Sequence, residues 1–278
     1  MPVAEAVLCK ITKGRHHTKS LLSKIPPNNY QYKRKTFRVA KRRGVTFRLD
    51  LHDMVDWYVY YDFGVPAMST LFSLVKPGDW LIDIGANMGV VSLVAAKKVG
   101  PLGKVFAFEP QPDNFQRLTY NAGLNGFTNV TLIQKGLGNL AGTFPMSKAR
   151  EDNDGLYKID GHHNPDMGVM VEVVTLDSFV EEVKPPKIDL IKIDVEGYEP
   201  NVIRGAIQTL KKFRPTLFVE VVDTQLKEFG ESAPDLVSLL GQQGYRIVDS
   251  ESGEIVNRNS DFTIMRDIVA YPSESFAS

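Results

Sequence analysis

One stretch limits what this chain can fold into more than any other. Asp79-Trp80-Leu81-Ile82-Asp83-Ile84-Gly85-Ala86-Asn87-Met88-Gly89-Val90-Val91-Ser92 reads as a short buried strand, a Gly-rich turn and the start of an apolar helix. Gly85 and Gly89 let the backbone turn tightly and approach a ligand. The helix that follows is expected to aim its first N–H groups into the turn. In an open α/β sheet, the ligand crevice lies at such carboxyl ends.

The glycine spacing narrows the ligand. A dinucleotide turn is G-x-G-x-x-G, and its second Gly admits a pyrophosphate. Asn87 stands at that place, and Asp83 sets a negative charge beside the turn. A carboxylate there repels phosphate and suits an ammonium or sulfonium. The stretch therefore points to a nucleoside carrying an amino acid, S-adenosylmethionine (SAM). Similar turns also occur without ligands, so a second feature matters. Lys104-Val105-Phe106-Ala107-Phe108-Glu109-Pro110 is a second strand ending in an acid. Glu109 falls where Rossmann-like folds place the carboxylate that binds ribose hydroxyls.

The 278 residues suffice for one large α/β domain with an extension. The lone cysteine, Cys9, excludes an intrachain disulfide and fits a reducing, cytoplasmic setting. It lies in a basic segment with no visible partner and reads as incidental. No apolar run reaches the length of a membrane span, and Met1–Leu8 is a poor signal peptide. The net charge of zero hides a polarity: residues 1–49 hold thirteen Lys/Arg and one acid, Glu5. Such polarity suits an anionic partner, or attraction between the two parts of the chain.

Residues 1–75 read as a basic extension, and residues 76–278 as the main domain. Met1–Asn29 has little periodicity, and His16-His17 reads as a surface pair. Tyr30–Leu51 is expected to be a β-hairpin turning at Lys41-Arg42-Arg43-Gly44. Its bases suit an anionic acceptor and, interleaved with aromatics, also resemble a nucleic-acid binder. The aromatic run from Asp53 leads through a loop into a helix over Met68–Val75.

Strands and helices then alternate, the mark of a parallel sheet. Helices are expected over Gly89–Lys98 and Pro112–Leu124, then a strand over Val130–Gln134. Gly136, just beyond it, is placed to meet an adenine edge through backbone groups. Leu140–Gly168 reads as an irregular insert with an acidic run (Glu151–Gly155) and His162-His163-Asn164. A strand follows at Val169–Val174, then a helix, Ser178–Val183, capped by Asp177. Ile188–Asp194 and Thr216–Glu220 are buried strands. A helix at Pro234–Gln243, a strand at Tyr245–Val248 and one or two strands within Phe262–Ala270 complete seven strands.

Lys192, Asp194 and Glu196 form the second informative cluster. Lys192 and Asp194 share one face of a strand. A lysine there is costly to bury unpaired, and Asp194 or Glu220 are candidate partners. One reading is a structural ion pair. The other sets these groups beside a transferable methyl, where a carboxylate or a lysine of lowered pKa accepts a proton from a hydroxyl. Asp194, Glu196 and Glu220 are possible oxygen ligands, but nothing in the sequence fixes their geometry, and no metal is predicted.

Asp83-Ile84-Gly85-Ala86-Asn87-Met88-Gly89, Phe108-Glu109-Pro110, Thr175-Leu176-Asp177 and Ile191-Lys192-Ile193-Asp194-Val195-Glu196-Gly197-Tyr198-Glu199 together resemble the FkbM family of SAM-dependent methyltransferases. The likeness spans roughly Lys76 to Val221. It implies a Rossmann-like class I methyltransferase fold, α/β, with a mostly parallel seven-stranded sheet and a closing antiparallel strand. It also implies SAM as methyl donor and O-methylation of a small molecule or saccharide. By this resemblance Asp83, Gly85, Asn87 and Gly89 surround the methionine part, Glu109 the ribose, and Asp194 and Glu196 the acceptor. Many relatives carry an acid where this chain has Val65-Pro66. The alternatives are RNA or DNA methylation through the basic hairpin, a non-catalytic SAM-binding module, and a nicotinamide oxidoreductase, which Asn87 and Asp83 disfavour.

Overall fold

The computed structural model describes residues 3–17, 19–148, 157–159 and 169–276. The chain opens with helix α1 (Val3–Thr12) and two short 3-10 turns. Strands β1 (Phe37–Arg42) and β2 (Val45–Asp50) form the expected hairpin. Its two-residue turn has positive φ at Arg43 (48°) and Gly44 (81°), the handedness a tight hairpin needs. Along β2, Val45, Phe47 and Leu49 point inward and their neighbours outward. Helices α2 (Met54–Tyr60) and α3 (Pro66–Leu74) lead into the main sheet. The sequence reading had no α1 and no α2. It also left Cys9 without a partner, whereas Cys9 is buried, with its thiol 3.3 Å from the Tyr60 carbonyl oxygen and 3.3 Å from Arg42.

The main run continues as β3 (Trp80–Ile84), α4 (Val90–Val99), β4 (Lys104–Phe108), α5 (Pro112–Gly123), β5 (Val130–Ile133) and the short β6 (Gly136–Leu137). After β7 (Gly142–Lys148), β8 (Tyr157–Ile159) and β9 (Val169–Val174) come α6 (Leu176–Val183) and β10 (Leu190–Ile193). Then follow α7 (Glu199–Arg204), α8 (Ile207–Phe213), β11 (Thr216–Val221), α9 (Asp223–Glu228), α10 (Ala233–Gln242), β12 (Tyr245–Asp249) and β13 (Arg266–Pro272). The seven-stranded sheet has the order β12-β13-β11-β10-β3-β4-β5. Pairing is parallel from β11 to β5, and β13 runs antiparallel to both its neighbours. The expected fold class is the observed one.

Each central strand is buried on both faces, which is why these strands read as near-continuous apolar runs. Ile82, Phe106, Ile191 and Leu217 face α6, α7 and α10. Leu81, Val105, Leu190 and Phe218 face α3 and α4. A separate cluster joins Leu49, Tyr60 and Tyr61 of the extension to Met88, Leu93 and Val94 of the main run.

Two expectations change. Gly142–Lys148 is a strand rather than an irregular segment, because Val171, Val173 and Tyr198 give its Met146 a small core of its own. The acidic run and His162-His163-Asn164 lie outside the described residues. Asp177 does not cap α6; the Thr175 hydroxyl does, accepting from the Ser178 N–H at 3.0 Å. Asp177 reaches across to α8 and accepts from the N–H groups of Gln208 (3.0 Å) and Thr209 (2.7 Å). The sequence could not show that contact, because it depends on where the two helices start in space.

Candidate active site

A cavity of about 530 Å³ opens at the carboxyl ends of the central strands, between them and the N-terminal extension. This size is within the range of small-molecule sites. Gly85, Asn87, Glu109 and Gly136 line it on one side, and Lys192, Asp194 and Glu196 on the other. Tyr58, Met68 and Phe72 of the extension contribute an apolar wall. Asp83 and Gly89 lie behind the lining.

The β3–α4 turn is built by close approach. Gly85 has φ of 79°, and a Cβ there would lie 1.9 Å from the Asp194 carbonyl oxygen. Gly89 caps α4 at φ of 98°, where a Cβ would meet Leu118 at 2.5 Å. The N–H groups of the turn have protein partners. Gly85 and Ala86 donate to the Phe108 carbonyl at 3.1 and 2.9 Å, and Gly89 to that of Ala86 at 2.9 Å. Asn87 donates its N–H to Glu109 Oε2 at 2.8 Å. The expectation concerns the first N–H groups of the helix; those of the turn itself, at Gly85, Ala86, Asn87 and Gly89, are engaged within the protein. An anion would find those donors engaged, which agrees with the reading that pyrophosphate is not the ligand.

Glu109 sits at the end of β4 as expected. Its other oxygen accepts from the Gln111 N–H at 3.0 Å. Burial pushes the Glu109 carboxyl up to about 7, although both N–H donors favour its charged form.

Beneath the cavity floor, Lys192 is 5% exposed. Its ammonium donates to the Gly85 carbonyl at 2.8 Å and lies 3.2 Å from Asp194 Oδ2 and 3.5 Å from Asp83 Oδ1. Asp83 is fully buried and also accepts from the Ser92 hydroxyl. Burial favours the neutral amine, but Asp194 and Asp83 outweigh it and hold Lys192 above the ordinary lysine range. A lysine so held keeps its proton, and the idea of a Lys192 of lowered pKa acting as base is corrected.

The loop after β10 is pinned from below. Glu199 accepts the N–H groups of Val195 and Gly197, both at 3.1 Å. Glu196 has positive φ (56°), and its carboxylate accepts from the Gln225 amide. Beside this loop, Glu220 of β11 and Asp267 of β13 also line the cavity. The sequence reading names Glu220 as a partner for Lys192 or an oxygen ligand, and it misses Asp267. A polar residue near the end of each apolar strand is the signal that could have found them. Burial, then Asp194, raise both carboxyls, Asp267 to about 7. Among the described residues, no group of three or more His, Cys, Asp or Glu is arranged to hold a metal ion.

The basic hairpin is largely engaged within the fold. Arg38 forms a two-pronged contact with Glu5 at 2.9 and 3.0 Å. Arg42 donates to the Val59 and Tyr60 carbonyls, and Arg48 stacks 3.6 Å over the Phe37 ring.

Residues 83–247 match the methyltransferase FkbM domain. The chain belongs to the FkbM family of SAM-dependent methyltransferases. It is similar to "Hexuronic acid methyltransferase AglP" of Haloferax volcanii, with 30% identity over 70% of this chain and 74% of that protein. It is 31% identical to "Methyltransferase sdnD" of Sordaria araneosa over 45% of this chain and 60% of that protein. "2-O-methyltransferase NoeI" of Sinorhizobium fredii is 28% identical over 56% of this chain and 68% of its own length. The FkbM domain begins at Asp83 and so includes the turn, Glu109 and the Lys192–Glu199 segment, while the hairpin and the Tyr58–Phe72 wall lie outside it. No helix among the described residues is long and apolar enough to cross a membrane.

Proposed function

We propose that this chain transfers a methyl group from SAM to a hydroxyl of a small molecule or saccharide. One observation carries the reading: the Gly85–Glu109 region and the Lys192–Glu196 segment, far apart in sequence, line a single cavity. Asp83, Gly85, Asn87 and Gly89 form or support the wall for the methionine part, Glu109 meets the ribose, and the backbone at Gly136 the adenine. The turn fits such a ligand, since its backbone approach depends on Gly85 and its donors do not await an anion. When bound, SAM supplies an electrophilic methyl on a sulfonium.

Lys192 is a positioning residue that locks β3 to the Asp194 loop. Asp194 and Glu196 hold and orient the acceptor. Positioning the acceptor oxygen in line with the methyl supplies much of the rate enhancement. Residues of the extension between Arg42 and Phe72 close the cavity over the main domain. The names of AglP and NoeI favour a sugar hydroxyl as acceptor. We place the reaction in the cytoplasm, where the lone Cys9 stays a thiol.

Calorimetric titration with SAM, its demethylated product and NAD tests the cofactor. Saturable binding of the first two without NAD is expected; binding of NAD alone would refute it. Mass-spectrometric screening of hexuronides, hexosides and hydroxylated small molecules with SAM then tests the acceptor. A gain of one methyl on a hydroxyl is expected, and transfer confined to RNA would overturn the acceptor class.

A further inference from the structure

We propose that Glu220, paired with Asp267 across two strands, takes the proton from the acceptor hydroxyl as the methyl is transferred. The proposal rests on the methyltransferase reading above and adds a catalytic residue to it. Glu220 and Asp267 are directly opposed in the antiparallel β11–β13 pair, so their side chains leave the same face. Lys192 lies opposite Phe218 in the parallel β10–β11 pair. Period two therefore puts Glu220 on the face that carries Lys192 and Asp194. Both carboxyls line the cavity.

The candidates differ in what already engages them. The Asp194 carboxylate is 3.2 Å from the Lys192 ammonium, and that of Glu196 accepts from Gln225. Glu109 holds two backbone N–H groups, and Glu199 another two. No hydrogen bond or ion pair engages the side chain of Glu220 or Asp267 among the described residues. A carboxylate that borders a ligand cavity without a protein donor is placed to accept one from the ligand.

The step balances. A lone pair of the acceptor oxygen forms the new C–O bond, and the C–S pair returns to sulfur. The O–H pair stays on oxygen, and the proton goes to the Glu220 carboxylate, which later yields it to water. The groups facing Glu220 are the acids Asp194, Glu196, Glu199 and Asp267 together with the Lys192 ammonium of β10, which also faces Asp267. Two opposed carboxyls cannot both ionise easily, so the pair retains one proton to higher pH than either would alone. Such a base takes up a proton more readily than an ordinary carboxylate.

Carbon-13 NMR titration of labelled Glu and Asp carboxyls, without cofactor or acceptor, tests the pair. In the wild type Glu220 is expected to titrate above the ordinary carboxylate range, and in Asp267→Asn to fall by about one unit or more. With the acceptor found by the screen, Glu220→Gln is expected to lower kcat about 10²- to 10⁴-fold with SAM affinity changed less than threefold. The acid limb of the Asp267→Asn rate profile is expected to move with the NMR shift. An unshifted Glu220, or a Glu220→Gln variant with kcat within threefold of wild type, overturns the proposal. If the wild type binds SAM while either occurs, only the proton-acceptor role falls; a wild type that binds no SAM overturns both readings.

Discussion

Gly85→Ala against Gly78→Ala isolates the close approach on which the site is built. Both glycines have positive φ, 79° and 84°. A Cβ at 78 meets nothing within 4 Å, whereas one at 85 lies 1.9 Å from the Asp194 carbonyl oxygen. The backbone strain is thus common to both, about 1–2 kcal/mol. The contact is not. Reaching an ordinary separation of 3.4 Å means parting the two segments by about 1.5 Å. That movement strains the Asp194 N–H bond to the Ile84 carbonyl (3.2 Å) and the Lys192 bond to the Gly85 carbonyl (2.8 Å). Overpacking costs about 1–3 kcal/mol and each weakened hydrogen bond about 1 kcal/mol. Gly85→Ala is therefore expected to lose about 4–7 kcal/mol and Gly78→Ala about 1–2 kcal/mol. Urea unfolding measures both, with comparison confined to variants of unchanged slope. A Gly85→Ala variant within 0.5 kcal/mol (about the additivity error between independent sites) of Gly78→Ala would refute the reasoning.

Lys192→Met leaves Asp83 buried without a cation and is expected to cost about 3–5 kcal/mol in urea unfolding; a loss below about 1 kcal/mol would show the ammonium to be dispensable. Arg117 lies 2.6 Å from buried Asp56 and 3.6 Å from Asp53, clamping the extension to α5. Arg117→Met is expected to destabilise by a similar amount and to expose residues 3–75 to limited proteolysis first; uniform cleavage would contradict the clamp. Glu109 holds its proton up to about 7 when folded, against an ordinary 4.5. The folded state binds the extra proton between those values, so stability falls as pH climbs through them, by about 3 kcal/mol for this group. Glu109→Gln should flatten that part of the stability–pH curve, and an unchanged slope would refute the shift. Glu109→Ala is expected to weaken SAM binding by about 1.5–3 kcal/mol, and unchanged affinity in calorimetry would remove the ribose role.

Legibility in the sequence followed burial. β3 and β4 stand out in the sequence because two buried faces leave a short apolar run between turn residues. The hairpin was legible from alternation. α2 was not, since it spans only seven residues and its buried stripe, Asp56, Trp57 and Tyr60, includes an acid. α1 was hidden because its buried residues, such as Cys9 and Thr12, are not those that signal a core. In the site, Asp83, Glu109 and Lys192 stood out as polar residues inside apolar runs. Asp267 did not, because Arg266 and the polar segment before it blurred the start of β13.

The largest surprise concerns direction rather than position. Gly85, Asn87 and Gly89 occupy the places expected of them, yet the turn N–H groups point into the protein, toward Phe108, Glu109 and Ala86. The two observations have one cause. Asn87 takes positive φ (49°), which swings its N–H onto Glu109, so the acid at the end of β4 fixes the turn as well as bordering the cavity. What remains to face a ligand is carboxylate: Glu109 on one side, and Asp194, Glu196, Glu220 and Asp267 on the other. Lys192, below them, is neutralised by Asp83 and Asp194. A cavity so lined offers a pyrophosphate no free cation, and burial holds Glu109, Glu220 and Asp267 neutral to higher pH than ordinary carboxyls.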